Sequence, residues 1–114
     1  MFNSKDYFPG KQIAHGGELT NVTAAATLTP DQTFIRASTV SGTGAFAITL
    51  PPVAECAGRI FSIQMIVRNS TDDITVQDGN ESEDWTDITL NLAADGCLLY
   101  SDGRKFWVLA DNYT

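Results

Sequence analysis

The side chains that could carry catalytic chemistry begin with the only histidine of the chain, His15. A hydrolase-type constellation of nucleophile, base and acid needs a histidine whose orientation is fixed by its neighbours. His15 is followed by Gly16 and Gly17, in a stretch without hydrophobic periodicity. We therefore expect His15 to be an exposed loop residue rather than a general base.

A second candidate for chemistry is the acidic run DGNESEDWTD at 78–87, because clustered carboxylates can bind calcium. A calcium loop of the helix-loop-helix kind has oxygen ligands at alternate positions, a glycine at the sixth and a glutamate at the twelfth. Counted from Asp78, the sixth position is Glu83 and the twelfth is Thr89. This spacing favours a solvated loop that joins two strands.

The remaining reactive groups also lack the spacing that known sites need. Cys56 and Cys97 are far apart and have no second cysteine or histidine nearby, which leaves open two buried free thiols or a disulfide. The SGTG stretch at 41–44 lacks the lysine of a phosphate-binding loop. Other paired carboxylates fall in turns instead of flanking a groove. We expect no enzymatic activity, no metal and no cofactor.

The net charge of the chain limits the kinds of partner that it is expected to bind. The formal net charge is −7 and the isoelectric point is about 4.3, whereas nucleic-acid binding needs clustered Lys and Arg. The opening residues MFNSKDYFPG lack the apolar core of a signal peptide, and no apolar run approaches the ~20 residues of a membrane-spanning helix. We expect neither nucleic acid nor membrane as a partner.

The elements that must position any site are short strands. Between residues 33 and 110, apolar or alternating runs are separated by turn signals, and no stretch sustains a helical period. The pattern predicts an all-β fold, a small antiparallel β-sandwich or barrel of about seven to eight strands with an extended N-terminal arm. Segment 21–30 is compatible with a short strand or a turn of helix. The predicted strands are 33–39, 45–50, 59–69, 73–78, 87–92, 96–101 and 105–110.

The predicted strands differ in how their faces are composed. In 59–69, Phe61, Ile63, Met65 and Val67 share one face and the other face is partly polar, so one face is core. The final strand, 105–110, has large apolar groups on both faces. A strand of this kind is either central in a sandwich or in contact with another subunit.

The turn before the final strand and the N-terminal third carry two further predictions. Asp102 and Gly103, between apolar runs, predict a hairpin closed by a two-residue turn with positive φ. Residues 1–22 combine aromatic residues with Pro and Gly but show no periodicity, which predicts an arm ahead of a β-domain at 23–114. A frayed terminus is the alternative for this segment.

The order of strands and turns over 45–110 resembles a β-domain of structural proteins in tailed bacteriophages. The pieces that carry the resemblance are the strand ending ITLPP, the segment AGRIFSIQ, the strand ITVQDG followed by a loop, and the closing YSDGRKFWVL. Each piece alone is weak, and their order and spacing together are more specific. The acidic loop at 78–87 departs from the pattern.

The resemblance implies a virion structural protein. Its group comprises capsid decoration (cement) proteins, head fibres and modules of tail fibres or tailspikes, generally assembled as homotrimers. The chain carries neither a long shaft nor a receptor-binding tip, which favours a decoration protein. Such a protein is made in the host cytoplasm and lies on the capsid surface, with itself and the major capsid protein as partners.

Two sets of residues are candidates for these contacts. We expect Phe2, Tyr7 and Phe8 to anchor the arm on the capsid. We expect the trimer interface or the core to include four residues of the closing hairpin, namely Tyr100, Phe106, Trp107 and Leu109. The alternative functions are a tail-fibre or receptor-binding component that contacts host surface glycan through Trp85, and an unrelated β-sandwich module that binds carbohydrate or calcium.

Overall fold

The computed structural model describes residues 19–79 and 86–112 of the chain. These residues form nine strands and one short 3₁₀ helix, Val53–Cys56. The strands are β1 (Leu19–Val22), β2 (Ala26–Thr27), β3 (Phe34–Ser38), β4 (Phe46–Thr49), β5 (Ile60–Val67), β6 (Ile74–Gln77), β7 (Ile88–Leu90), β8 (Gly96–Ser101) and β9 (Phe106–Asn112).

The alternation of apolar and polar residues, together with the turn residues, correctly predicted where the strands from β3 to β9 lie. Each of the seven predicted strands corresponds to one strand from β3 to β9, within a few residues at each end. The segment 21–30, which the sequence left open, holds the end of β1 and all of β2. Residues 19–22 of the predicted arm are strand β1, and residues 1–18 lie outside the described residues.

The strands form two mixed sheets. The large sheet has the order β1-β3-β5-β8-β9, and the small sheet has the order β2-β4-β6-β7. The all-β prediction is confirmed, but the expected antiparallel pairing is wrong for four ladders, since β1–β3, β3–β5, β2–β4 and β4–β6 are parallel. The reason is the path of the chain, which crosses to the other sheet after each of β1 to β5 and so returns to each sheet in the same direction.

The inward side chains of both sheets belong to one buried hydrophobic cluster. The central strand β5 contributes Phe61, Ile63 and Met65, all fully buried, which confirms the core face predicted for 59–69. Val67, expected on the same face, is exposed because the pairing with β3 shifts register just before it. The ring of Phe61 meets that of Phe106 edge to face, with centroids 6.2 Å apart and planes at 73°.

The 3₁₀ helix joins one end of the core to the closing hairpin. The buried Ser101 hydroxyl, at the end of β8, donates a hydrogen bond of 2.9 Å to the Val53 carbonyl. The Ser101 carbonyl accepts a hydrogen bond of 2.8 Å from the Gly58 amide, just after the helix. These bonds satisfy backbone groups at a helix end and fix the position from which the β8–β9 turn starts.

Candidate interaction surface

The outer face of the large sheet, opposite the core, is apolar. We define this outer face by six side chains that point away from the core on the five strands of the sheet: Leu19, Phe34, Ile60, Leu98, Tyr100 and Trp107. Leu19 is 62% exposed, Phe34 45%, Ile60 48% and Trp107 47%, while the other two are half-buried. A contiguous apolar group of this kind on a surface marks an interaction site more often than scattered apolar residues do.

Cross-strand pairing places these side chains in two rows. In one row Leu19 lies beside Phe34, which lies beside Ser62, which lies beside Leu98. In the other row Ile60 lies beside Tyr100, which lies beside Trp107. Directly opposed residues on neighbouring strands have Cβ atoms roughly 5 Å apart, so each row is a continuous surface.

The outer face of the small sheet has the opposite character. Its strands present short or polar side chains, and the Gln77 amide donates a hydrogen bond of 2.9 Å to the Thr49 hydroxyl across two strands. This face resembles the solvated side of a half-buried sheet. The outward residues of the small sheet are Thr27, Ala47, Thr49, Thr75, Gln77 and Thr89. Both sheets share one core, so the apolar outer face of the large sheet does not follow from folding alone.

Trp107 is held in a fixed position on the outer face. Its indole Nε1 donates a hydrogen bond of 2.9 Å to Asp102 Oδ2, and the Lys105 ammonium lies 4.4 Å from the ring centroid. The other oxygen of Asp102, Oδ1, accepts 2.8 Å hydrogen bonds from the backbone amides of Arg104 and Lys105. The bond from Trp107, followed by those from the two amides, lowers the pKa of the Asp102 carboxyl below its ordinary value.

The turn that carries Asp102 differs from the predicted one. The strands end at Ser101 and resume at Phe106, and only Gly103 has positive φ, at 93°. The expectation that Asp102 and Gly103 together form a two-residue turn is therefore wrong. Asp102 instead acts through its carboxylate, which binds the amides that follow the glycine and the indole of the next strand.

A groove crosses the outer face where one small residue separates larger ones. Ser62 lies between Phe34 and Leu98 in its row, and the depression above it has a volume of about 340 Å³, with Ile60 and Arg59 on its walls. A neighbouring depression of about 280 Å³ shares Ser62 and Leu98 and continues towards the end of β9. The second depression also has the polar residues Gln64 and Asp111 in its lining. Concave sites of this size accept one large side chain or a small ligand.

Positive charge is concentrated around this face. All five Lys and Arg residues in the described ranges belong to large-sheet strands or lie beside them: Arg36, Arg59, Arg68, Arg104 and Lys105. Arg68 forms an ion pair of 2.7 Å with Asp73, in the connection to β6. Arg59 forms an ion pair of 3.1 Å with Asp31. Acidic residues lie beside both sheets: Asp72, Asp73, Asp78 and Asp87 flank the small-sheet strands, and Asp31, Asp95, Asp102 and Asp111 lie in or near the large-sheet strands.

The closing-hairpin residues expected at the interface or in the core separate into two groups. Phe106 is fully buried and belongs to the core, while Trp107 and the half-buried Tyr100 belong to the outer face. Leu109 is 52% exposed at the point where the β8–β9 pairing shifts register. β9 is an edge strand of the large sheet.

Some residues singled out in the sequence lie outside the described residues: Phe2, Tyr7, Phe8, His15, Trp85 and the rest of 80–85 in the acidic run.

Within 19–79 and 86–112, no group of three or more His, Cys, Asp or Glu is placed to hold a metal ion. The same ranges contain no helix long and apolar enough to cross a membrane.

Both cysteines are buried free thiols, one of the two alternatives that the sequence left open. Burial raises the pKa of Cys56. Burial, and then the negative charge of Asp111, raise the pKa of Cys97 to about 12. A thiol with such a pKa carries almost no thiolate near neutral pH and is a poor nucleophile.

The sequence reasoning missed Leu19, Phe34 and Ile60 as surface residues. A signal was present for Phe34 and Ile60, since both are apolar residues at outward-facing alternate positions of 33–39 and 59–69, whereas Leu19 lies outside every predicted strand. Comparison with family models, curated proteins and solved structures gives no match for the chain.

Proposed function

We propose that the chain is a bacteriophage virion structural protein, a homotrimeric capsid decoration (cement) protein that binds the outer capsid surface and stabilises the head. The observation that carries this proposal is the apolar outer face of the large sheet on an acidic chain whose other sheet has a polar outer face. Such a face favours a protein whose work is assembly.

The position of β9 supports an assembly role. A strand with large apolar groups on both faces is either central in a sandwich or in contact with another subunit. β9 is at the edge of its sheet, yet Trp107, Val108 and Leu109 are each about half exposed. The edge position and the exposure of β9 therefore support a contact with another subunit.

The proposed organisation is a rigid body with separate contact regions. Buried residues of both sheets form one hydrophobic cluster, which supports packing of the sheets as a sandwich. In the proposed organisation three such bodies attach to the capsid at several points at once. Multivalent attachment lengthens residence on the lattice without new contacts in each subunit. The aromatic residues Phe2, Tyr7 and Phe8 anchor the arm on the major capsid protein, and the acidic surface keeps the particle soluble.

Location on the virion tests the proposal directly. Antibody labelling of purified virions should place the protein on the head, and purified protein should cosediment with capsids that lack it. Labelling on the tail, together with adsorption of the free protein to host cells, would favour the receptor-binding alternative and overturn the decoration role.

A deletion tests the arm. The chain without residues 1–12 should keep its fold and lose most of its capsid binding, because the deletion removes all three aromatic anchors. A second variant replaces the same segment with a Gly/Ser sequence of equal length and should lose capsid binding to the same extent, because it also lacks the three aromatic residues. Undiminished binding by the deleted chain would refute the anchoring role of the arm.

A further inference from the structure

We infer that the outer face of the large sheet binds a second copy of this chain, with Trp107 of one copy entering the groove between Phe34, Ile60 and Leu98 of the other. The inference rests on the homotrimer of the proposed function, and it names the surface through which the copies contact each other. It makes this face the contact between subunits and leaves the contact with the capsid to other parts of the chain.

The area of the face fits a subunit contact. Four large apolar side chains about half exposed and two half-buried ones present roughly 500 Å², given about 200 Å² for a fully exposed large side chain. A standard interface covers about 800 Å² on each partner, of which somewhat over half is apolar. The outer face therefore supplies the apolar part of one side of a standard interface, and the polar residues around it supply the rim.

The charges around the face identify a second copy as the occupant. Two copies that each carry a net charge of −7 repel each other at long range. Around this face the four positive charges of Arg36, Arg59, Arg104 and Lys105 balance the four carboxylates of Asp31, Asp95, Asp102 and Asp111. Among the surfaces formed by residues 19–79 and 86–112, this face is therefore less repulsive to a second acidic copy than the ends of the small-sheet strands, which bring like charges together.

Trp107 has the properties of an interface anchor. Its ring is fixed by Asp102 and covered on one side by Lys105, yet 47% of the residue remains exposed. Fixing an exposed aromatic side chain before binding lowers the entropy lost on association. Tryptophans of this kind are enriched among the residues that dominate binding energy.

The groove that would accept Trp107 is out of reach of the same molecule's indole. Trp107 is separated from Ile60 by Tyr100, a distance of two strand spacings or about 10 Å. A second copy can place its indole over Ser62, the small residue at the centre of the groove. Reciprocal insertion produces a two-fold dimer, and head-to-tail insertion that closes after three copies produces the homotrimer of the proposed function.

A pair of charge substitutions tests the surface. Phe34→Asp places a carboxylate on the outer face of the large sheet, and the control Thr89→Asp places one at an exposed strand position on the small sheet. Sedimentation velocity over a range of concentrations should show assembly of the wild type and the control, and association weakened about thirtyfold or more in Phe34→Asp. Thermal unfolding in dilute solution, followed by circular dichroism, tests whether both variants are folded.

Cross-linking tests the position of Trp107. A mixture of two single variants, Trp107→Cys and Ile60→Cys, should form disulfide-linked dimers of the two chains under mild oxidation with copper-phenanthroline. The native thiols do not interfere, because both are buried. A mixture of Trp107→Cys with Thr89→Cys is the control and should give no such product.

The outcomes separate this inference from the proposed function. A wild type that stays monomeric at all concentrations, or a folded Phe34→Asp variant that assembles as the wild type does, overturns the inference. If Phe34→Asp assembles normally but loses capsid binding, the face meets the capsid and only the inference fails. If assembly depends on Phe34 but the protein is not found on heads, the decoration role fails and the inference stands.

Discussion

The substitution Phe106→Ala tests how the last strand is attached to the core. Phe106 is fully buried and its ring meets that of Phe61, on the central strand, edge to face. Trp107, the next residue, points to the opposite side of the sheet and is half exposed. Neighbouring aromatic residues on β9 thus have different roles, and only the loss of Phe106 should leave a cavity in the core.

The expected cost follows from burial. Truncating a fully buried Phe to Ala typically costs 3–5 kcal/mol, and an edge-to-face partner accounts for roughly 0.5–1.5 kcal/mol of such effects. We expect Phe106→Ala to lower the free energy of unfolding by about 4 kcal/mol and the melting temperature by about 15 °C. Since domains of this size have about 5–15 kcal/mol of stability in total, the variant should be folded but marginal. Phe106→Leu, which keeps most of the volume, should cost about 1–1.5 kcal/mol.

Urea unfolding followed by circular dichroism measures these differences at one low protein concentration, because assembly would otherwise stabilise the variants unequally. Thr89→Ala, on the exposed face of the small sheet, is the control and should change stability by less than about 0.5 kcal/mol. If Phe106→Ala lost less than about 1.5 kcal/mol with an unchanged m-value, β9 would not be attached through this side chain.

Two further predictions concern ionisable groups. The lowered pKa of Asp102 means that its bonds to Trp107 and the turn amides persist above the ordinary aspartate pKa and are lost as pH falls through the folded value. The chemical shift of the Trp107 indole N–H, followed by NMR as the pH is lowered, should therefore change only below the pH range in which aspartate ordinarily titrates. A change centred within that pH range would contradict the hydrogen bond between Trp107 and Asp102. With its pKa near 12, Cys97 should resist a thiol reagent at pH 8 until the chain unfolds. Rapid labelling of native protein at Cys97, located by peptide mapping, would contradict its burial.

The positions of the strands could be predicted because each strand carries its own signal. The alternation within 59–69 identified Phe61, Ile63 and Met65 as the core side, and the acidic and glycine-containing breaks marked the ends. β1 and β2 were harder, since they are four and two residues long, and β2 contains only Ala26 and Thr27.

Pairing between strands was not predictable in the same way. Alternation shows which face a residue occupies but not which strand lies beside it, so the parallel ladder between β3 and β5 has no local signature. The antiparallel β8–β9 hairpin was predictable because a short turn connects its strands. Even there, the contact of Asp102 with Trp107 depends on side-chain geometry that dipeptide preferences do not contain.

The outer face was partly predictable. Apolar residues on both sides of 105–110 led to the alternative of a subunit contact, but only the sheet order decides that β9 is not central. Phe34 and Ile60 join this face because β3 and β5 are neighbours, although 26 positions separate the two residues in the sequence.

The crossing of the chain between the two sheets also determines the order in which the protein can fold. The β8–β9 hairpin is local and can form in about 1–10 μs, whereas each parallel ladder must wait until the chain has travelled through the other sheet and back. During synthesis, β1 to β4 emerge before β5, so their apolar sides wait for Phe61, Ile63 and Met65. The large sheet is completed last, because β8 and β9 follow every strand of the small sheet, and the nascent chain stays open to aggregation until its central strand arrives. Residues 1–59 carry four basic and four acidic residues, so the net charge of −7 lies in the part of the chain that follows, and charge repulsion does not protect the strands that wait for β5.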